Sequence, residues 1–325
     1  MRSAAVTPDE IAWADTCLAL AGRPTPTALP ATPGPTTTAP TPSPTPSSST
    51  SAVPTPSSSG STVPQTVTPT PQTGFPTAAT TGVPPGWVPA QTRTSTLRVS
   101  SGTVQDVRIV GANLELTGPV TVRRVEIVGG RIVVAGCRGG VVIEDTSVLR
   151  GQTTRSSDPE AIGPGGYTAR RVKLDGVAEG FRVGGRSSGC GPVVIEDSYA
   201  RVVAPDSCGD WHGDGTQLYD APPVTIRNVS LILQERGGCG GTAAFFGPAA
   251  QGNSSADIER LRVQGGGYPF RLGVPGRVVG LDIVQGWPYG PINVKCSVLT
   301  DWSARIVTAS GAFVRNQPCN TEDGR

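Results

Sequence analysis

The stretch "CGDWHGDGTQLYD", residues 208–220, concentrates groups able to move protons. It holds His212, the one histidine of the chain, with Asp214 two residues on and Trp211 and Tyr219 on either side. Imidazole and carboxyl groups work as general acids and bases once a neighbour or burial tunes them toward neutrality. Aromatic rings stack on the C–H faces of sugars, while fixed polar groups read the hydroxyls. Glu160, Glu179, Arg182, Gln217, Tyr268, Arg271, Trp287, Tyr289, Asn293 and Lys295 are of the same kinds. Whether they act together depends on a scaffold that gathers them.

That scaffold reads as a repeat of the form φ-x-x-φ-x-φ, where φ is apolar. It appears as Val104/Val107/Ile109, Val122/Val125/Ile127, Ile143/Thr146/Val148, Ala169/Val172/Leu174 and Ile195/Ser198/Ala200. It continues as Ile226/Val229/Leu231, Ile258/Leu261/Val263, Val278/Leu281/Ile283 and Leu299/Trp302/Ala304. Only Thr146 and Ser198 break the apolar rule. The φ-x-φ half has strand periodicity and the x-x gap suits a bend. First members lie 18 to 32 residues apart. That spacing, without helical periodicity, predicts an all-β solenoid of about nine coils in which each coil covers its neighbour's apolar interior. A second strand recurs at 132–134, 181–183, 216–218, 244–246, 270–272, 292–294 and 312–314, usually after a Gly or Pro.

Across residues 93 to about 316 this repeat architecture resembles the pectin-lyase-like right-handed parallel β-helix proteins, the superfamily of polysaccharide lyases and polygalacturonase-like hydrolases. "GDGTQL" is similar to the Asp-Gly strand start of the polygalacturonase type. There the next coil brings two aspartates and then a His-containing turn, whereas here it reads "GGTAAFFG". The resemblance implies a right-handed parallel β-helix and a polysaccharide partner.

Alternation along the second strands puts Arg182, Gln217, Phe245, Arg271 and Asn293 outward, with Lys295 two residues beyond. Glu160, Glu179, Asp214, Tyr268 and Tyr289 precede the corners. One face thus carries Asp214, His212, Glu179, Arg271 and Lys295 as candidate catalytic groups. Trp211, Gln217, Tyr219, Arg182, Tyr268, Tyr289, Asn293 and Glu160 are the candidate sugar contacts. Adjacent coils would set Glu179 and Asp214 about 4.8 Å apart, and Glu160 and Asp214 about 9.6 Å apart. These values bracket the carboxyl spacings of retaining and inverting glycosidases. β-Elimination would instead need a base and a cation such as Arg271 or Lys295, with Ca²⁺ held by Asp206, Asp210 and Asp214. The bland alternative is that Asp214-Gly215 is turn chemistry alone. No zinc site is expected, because one histidine and scattered cysteines match no ligand spacing.

Composition bounds the rest. The 325 residues include 43 Gly and 32 Pro, and from Pro24 to Thr92 no Asp, Glu, Lys or Arg occurs. Such a stretch buries too little apolar surface to fold. The expected organisation is therefore a segment 1–23 of unknown role, a disordered Pro/Thr/Ser-rich linker 24–92, the β-helix domain 93–320 and a tail 321–325. A net charge of +2 without a Lys/Arg stripe argues against nucleic acid. No run is long enough to span a membrane. Seven cysteines favour an oxidising, extracellular location, although no signal peptide is recognisable. Coil arithmetic suggests the pairs Cys208–Cys239, Cys296–Cys319 and Cys137–Cys190, leaving Cys17 over; spacing alone does not settle connectivity. The expectation is a monomeric, exported protein that binds and cleaves a polysaccharide as a lyase or glycoside hydrolase. The alternatives are a non-catalytic glycan-binding module or adhesin, and a structural surface or phage-fibre solenoid.

Overall fold

The computed structural model describes residues 74–320 apart from 136, 138, 152–156 and 158, together with Gly324. The segment 1–23, with Cys17, and residues 24–73 of the linker lie outside the described residues. Apart from three one-turn 3-10 helices, all regular structure is β-strand, and no described helix is long and apolar enough to cross a membrane.

The strands form a 14-stranded and a 9-stranded sheet. Among the described strands every strand-to-strand ladder is parallel except the one between Leu299–Val307 and Phe313–Asn316; two isolated bridges, Arg236 with Cys239 and Ala243 with Gly266, are also antiparallel. The apolar repeat builds the larger sheet. Val104 pairs with Val122, Val122 with Ile143, Ile143 with Ala169 and Ala169 with Ile195. Ile195 then pairs with Ile226, Ile226 with Ile258 and Ile258 with Val278. These residues form one buried column, and the second and third φ positions form two more. Each fully buried Val or Ile contributes about 1.5–3 kcal/mol relative to exposure.

The x-x gap is a bend of a defined kind. Its second residue is left-handed in Asp106, Arg124, Asp145, Arg171, Asp197, Asn228 and Arg260, with φ between 47° and 57°. A non-glycine residue there costs about 1–2 kcal/mol. Pairing along the column offsets that cost: Asp106 takes Arg124 at 2.7 Å, Asp145 takes Arg171 at 2.6 Å, and Asn228 donates to Asp197 at 2.6 Å. The Arg124 guanidinium holds the Asp106 carboxyl well below the usual carboxylate range. Thr146 and Ser198, the two polar exceptions, sit fully buried where two of the strands break. Their hydroxyls donate to the carbonyls of Glu144 and Glu196, both at 2.7 Å.

The last repeat is displaced from its expected register. Val278, Leu281 and Ile283 meet Trp302, Ala304 and Ile306, not Leu299, Trp302 and Ala304. The Leu299–Val307 strand has one residue fewer between its first two inward positions, so it lacks the left-handed corner. The segment expected at 312–314 does not continue the parallel series either. Phe313–Asn316 turns back antiparallel along the sheet edge.

The linker ends earlier than residue 92. From residue 74 the chain runs over the corner column. Phe75 lies 5.4 Å from the Arg260 guanidinium, Gly82 donates its N–H to the Arg171 carbonyl at 2.8 Å, and Trp87 donates to Asp106 at 3.1 Å. Gly82 is left-handed (φ 84°), and a Cβ there would strike Ser147 and Lys173. The strap ends by pairing Gln91–Arg93 parallel to residues 107–109. Three disulfides join Cys137 to Cys190, Cys208 to Cys239 and Cys296 to Cys319, as coil arithmetic suggested.

The corner column generates a test. Asn228→Val and Asn228→Gly both lose the bond to Asp197, but only Val is strained at φ 51°. Denaturant unfolding should show the Val variant less stable than the Gly variant by about 1–2 kcal/mol. Equal stabilities would contradict the left-handed corner.

Candidate functional site

The smaller sheet positions the candidate groups. Its strands are Leu97–Val99, Leu114–Leu116, Ile132–Val134, Ile162–Pro164, Phe181–Gly184, Asp214–Tyr219, Ala243–Gly247, Phe270–Leu272 and Ile292–Val294, in that spatial order. Phe181 pairs with Ile162 on one side and Thr216 on the other. Glu160, Glu179 and Asp214 each stand two residues before these partners, so they occupy one column at about 4.8 Å per step. The backbone closes the same register: Ala161 N–H donates to the Glu179 carbonyl at 3.0 Å and Gly180 N–H to the Asp214 carbonyl at 2.9 Å. Glycine permits this approach, since a Cβ at Gly180 would collide with the Gly215 carbonyl oxygen.

The three carboxyls are not equivalent. Glu160 is paired with Arg131 at 3.0 Å, and Glu179 with Arg182 at 2.7 Å. Glu179 and Arg182 retain 16% and 17% side-chain exposure. Burial pushes the Glu179 carboxyl up, Arg182 opposes this, and neighbouring Glu160 adds to it. Asp214 is 1% exposed. Its Oδ1 accepts the Ala243 N–H at 3.0 Å, and its Oδ2 is buried without a hydrogen-bond partner. Burial first, and then the Glu179 charge, push Asp214 well above the usual carboxylate range. The column therefore holds two ion-paired carboxyls and one that favours its neutral, proton-donating form.

Beside it runs an outward row in register: Arg182, Gln217, Phe246, Arg271 and Asn293. Phe246, not Phe245, occupies the row. Phe245 is fully buried and stacks on Phe270 with centroids 5.2 Å apart. The Arg271 guanidinium lies 4.9 Å from the Phe246 ring. Two strands past Asp214 the same column reaches Tyr268, whose ring is 5.8 Å from that of Tyr289. There a cleft of about 400 Å³ opens, with Asn293, Arg315, Gln317 and Asn320 in its lining.

Other expected members do not join. Trp211 is a core residue: it is 6% exposed and its indole N–H donates to the Ala178 carbonyl at 2.8 Å, so it offers no stacking face. His212 is exposed and its Nε2 lies 2.8 Å from Asp210, not on Asp214. The calcium set does not converge. Asp206 is held between Arg150 and Arg236, Asp210 faces His212, and Asp214 is buried. Among the described residues no group of three His, Cys, Asp or Glu could hold a metal. Lys295 follows Ile292–Val294, four strands and roughly 19 Å from Glu179, so it cannot serve that carboxyl. Tyr219 sits at the opposite end of its strand from Asp214.

Sequence reasoning missed Arg131, Phe246 and the cleft wall. Arg131 was findable, since it directly precedes Ile132 at the position equivalent to Ala161 and Gly180. The wall had one signal, the Cys296–Cys319 spacing that returns the tail to this end. No protein-family model, curated protein or solved structure matches the chain.

An acid whose folded-state pKa is raised loses stability as pH climbs from the ordinary carboxylate range toward the folded value. Asp214→Asn removes that loss while its amide oxygen still accepts the Ala243 N–H. The variant should melt at least about 2 °C above the parent at pH 8, with the gap closing toward pH 4. Thermal scans showing a pH-independent difference, or a less stable variant at pH 8, would contradict the neutral Asp214.

Proposed function

We propose that the described unit is a right-handed parallel β-helix, similar to the pectin-lyase-like proteins, that is exported and acts on a polysaccharide. Two parallel sheets joined by alternating connections support the helix, and the strong preference of parallel crossovers for the right hand supports its sense. Three disulfides support an oxidising destination.

The observation that carries the activity is the column of unlike carboxyls. A neutral Asp214 stands one strand spacing from the ion-paired Glu179, on a face that continues into a tyrosine-lined cleft. Burial pushes both carboxyls up, Asp214 further, while Arg182 opposes the rise at Glu179; a pair of unequal carboxyls assigns an acid and a partner carboxylate. A step of about 4.8 Å lies near the separation used in retaining glycoside hydrolysis. In this reading Asp214 gives its proton to the leaving glycosidic oxygen. Glu179, steadied by Arg182, attacks the anomeric carbon as the glycosidic bond breaks; water then displaces Glu179 there and gives its proton back to the Asp214 carboxylate.

A second reading, glycan binding without cleavage, is favoured by the 1% exposure of Asp214, which keeps its carboxyl away from a bound sugar. A screen of neutral and acidic polysaccharides, reading unsaturated ends by ultraviolet absorbance together with reducing ends, separates the two. Hydrolysis should release reducing ends without unsaturation. Glu179→Gln and Asp214→Asn should each lower turnover at least about 10²-fold. Binding with no product from any polymer would remove the catalytic reading and leave the binding module.

A further inference from the structure

The cleft lies where the smaller sheet stops. Among the described residues Ile292–Val294 is the last strand of that sheet. The returning chain brings Arg315, Gln317 and Asn320 to line one cleft with Asn293. This wall is built firmly. The Cys296–Cys319 disulfide ties it to the exit of the strand, Trp302 donates its indole N–H to the Gln317 carbonyl at 2.8 Å, and Gln317 N–H donates to Ala304 at 2.9 Å. Gln317 is itself buried and satisfied, accepting from Arg315 at 3.1 Å and donating to Pro318 at 2.9 Å.

Asn293 is the exception. It is 8% exposed, lines the cleft, and its Oδ1 is buried without a partner. An unmade bond at a buried polar atom costs about 1–3 kcal/mol, so the site calls for a ligand that brings a donor. Tyr289 stands over the opening at 74% exposure, with Tyr268 beside it. Vicinal hydroxyls can both donate to and accept from a carboxamide, and a sugar's C–H face suits the tyrosines. Among the described residues the lining holds no acidic one.

Resting on the reading of this face as glycan-binding, we infer that the Tyr268–Tyr289 cleft is a terminal subsite: it receives the end sugar of a glycan chain, because the 315–320 wall bars the polymer from passing through. The protein therefore recognises chain ends, with the interior of the chain extending back along the Arg271–Gln217–Arg182 row.

The test uses the full chain and defined probes. These are (1→4)-linked hexaoses of glucose, N-acetylglucosamine and galacturonate, each free, blocked at the reducing end or blocked at the non-reducing end, and their parent polymers. Calorimetry should show one hexaose binding, with one of the two blocks weakening it at least about tenfold. At equal sugar mass the parent polymer should bind in proportion to its fewer ends. Asn293→Ala and the solvent-side Tyr289→Ala should each weaken the free hexaose at least about tenfold, while the affinity no longer depends on the block. Binding indifferent to both blocks and to chain length overturns the terminal subsite and leaves the glycan-binding face intact. Failure of every hexaose and polymer to bind overturns both.

Discussion

Parallel register is the constraint from which the rest follows. When strands stack parallel, each residue finds its counterpart one strand spacing away, at about 4.8 Å, and the same holds at every later step. Whatever a position carries is therefore piled into a column. Apolar columns make the core. A column of left-handed corners would accumulate strain, and the chain offsets it by alternating Asp with Arg or Asn, so that each strained residue bonds its neighbour. The strap from residue 74 fastens to that same column.

The same rule makes the candidate site unusual. Elsewhere in the described strand pairs like charges are kept out of register, but Glu160, Glu179 and Asp214 are stacked, the last two before the glycines Gly180 and Gly215. Arg131 and Arg182 neutralise two of them, and the third is left buried with one oxygen unbonded. An Asn at 214 would preserve the Ala243 bond without the electrostatic cost. An ionisable group in a place that disfavours its charge is what the proposed proton-donating role of Asp214 rests on. Farther along, where the smaller sheet ends, the disulfide-pinned tail lines a cleft with Asn293.

Much of the architecture was legible because the apolar pattern repeats with so few exceptions. The inward columns from Val104 to Val278 could be read from spacing, and coil arithmetic suggested the three cysteine pairs without settling them. The failures have physical causes. "AAFF" is apolar throughout, so alternation could not distinguish Phe245 from Phe246. The final repeat lost its corner residue, which moved Trp302 into the first inward position. Trp211 and His212 were read as partners of Asp214 because they adjoin it in sequence. Whether a loop aromatic folds inward is decided by the carbonyl it reaches, here Ala178, which no local pattern reveals. Glu160, Glu179 and Asp214, by contrast, were findable, since each sits before a recurring strand.

The central claim is that burial, helped by the Glu179 charge stacked beside it, keeps Asp214 protonated at neutral pH. Carbon-13 NMR of the protein labelled at aspartate Cγ, titrated across the acid and neutral range, tests this directly, with Asp214→Asn providing the assignment. The account predicts one resonance that disappears in the variant and keeps the chemical shift of a protonated carboxyl at pH 7. A resonance for Asp214 that has already moved to the carboxylate position by pH 5, in step with the exposed aspartates, would contradict it.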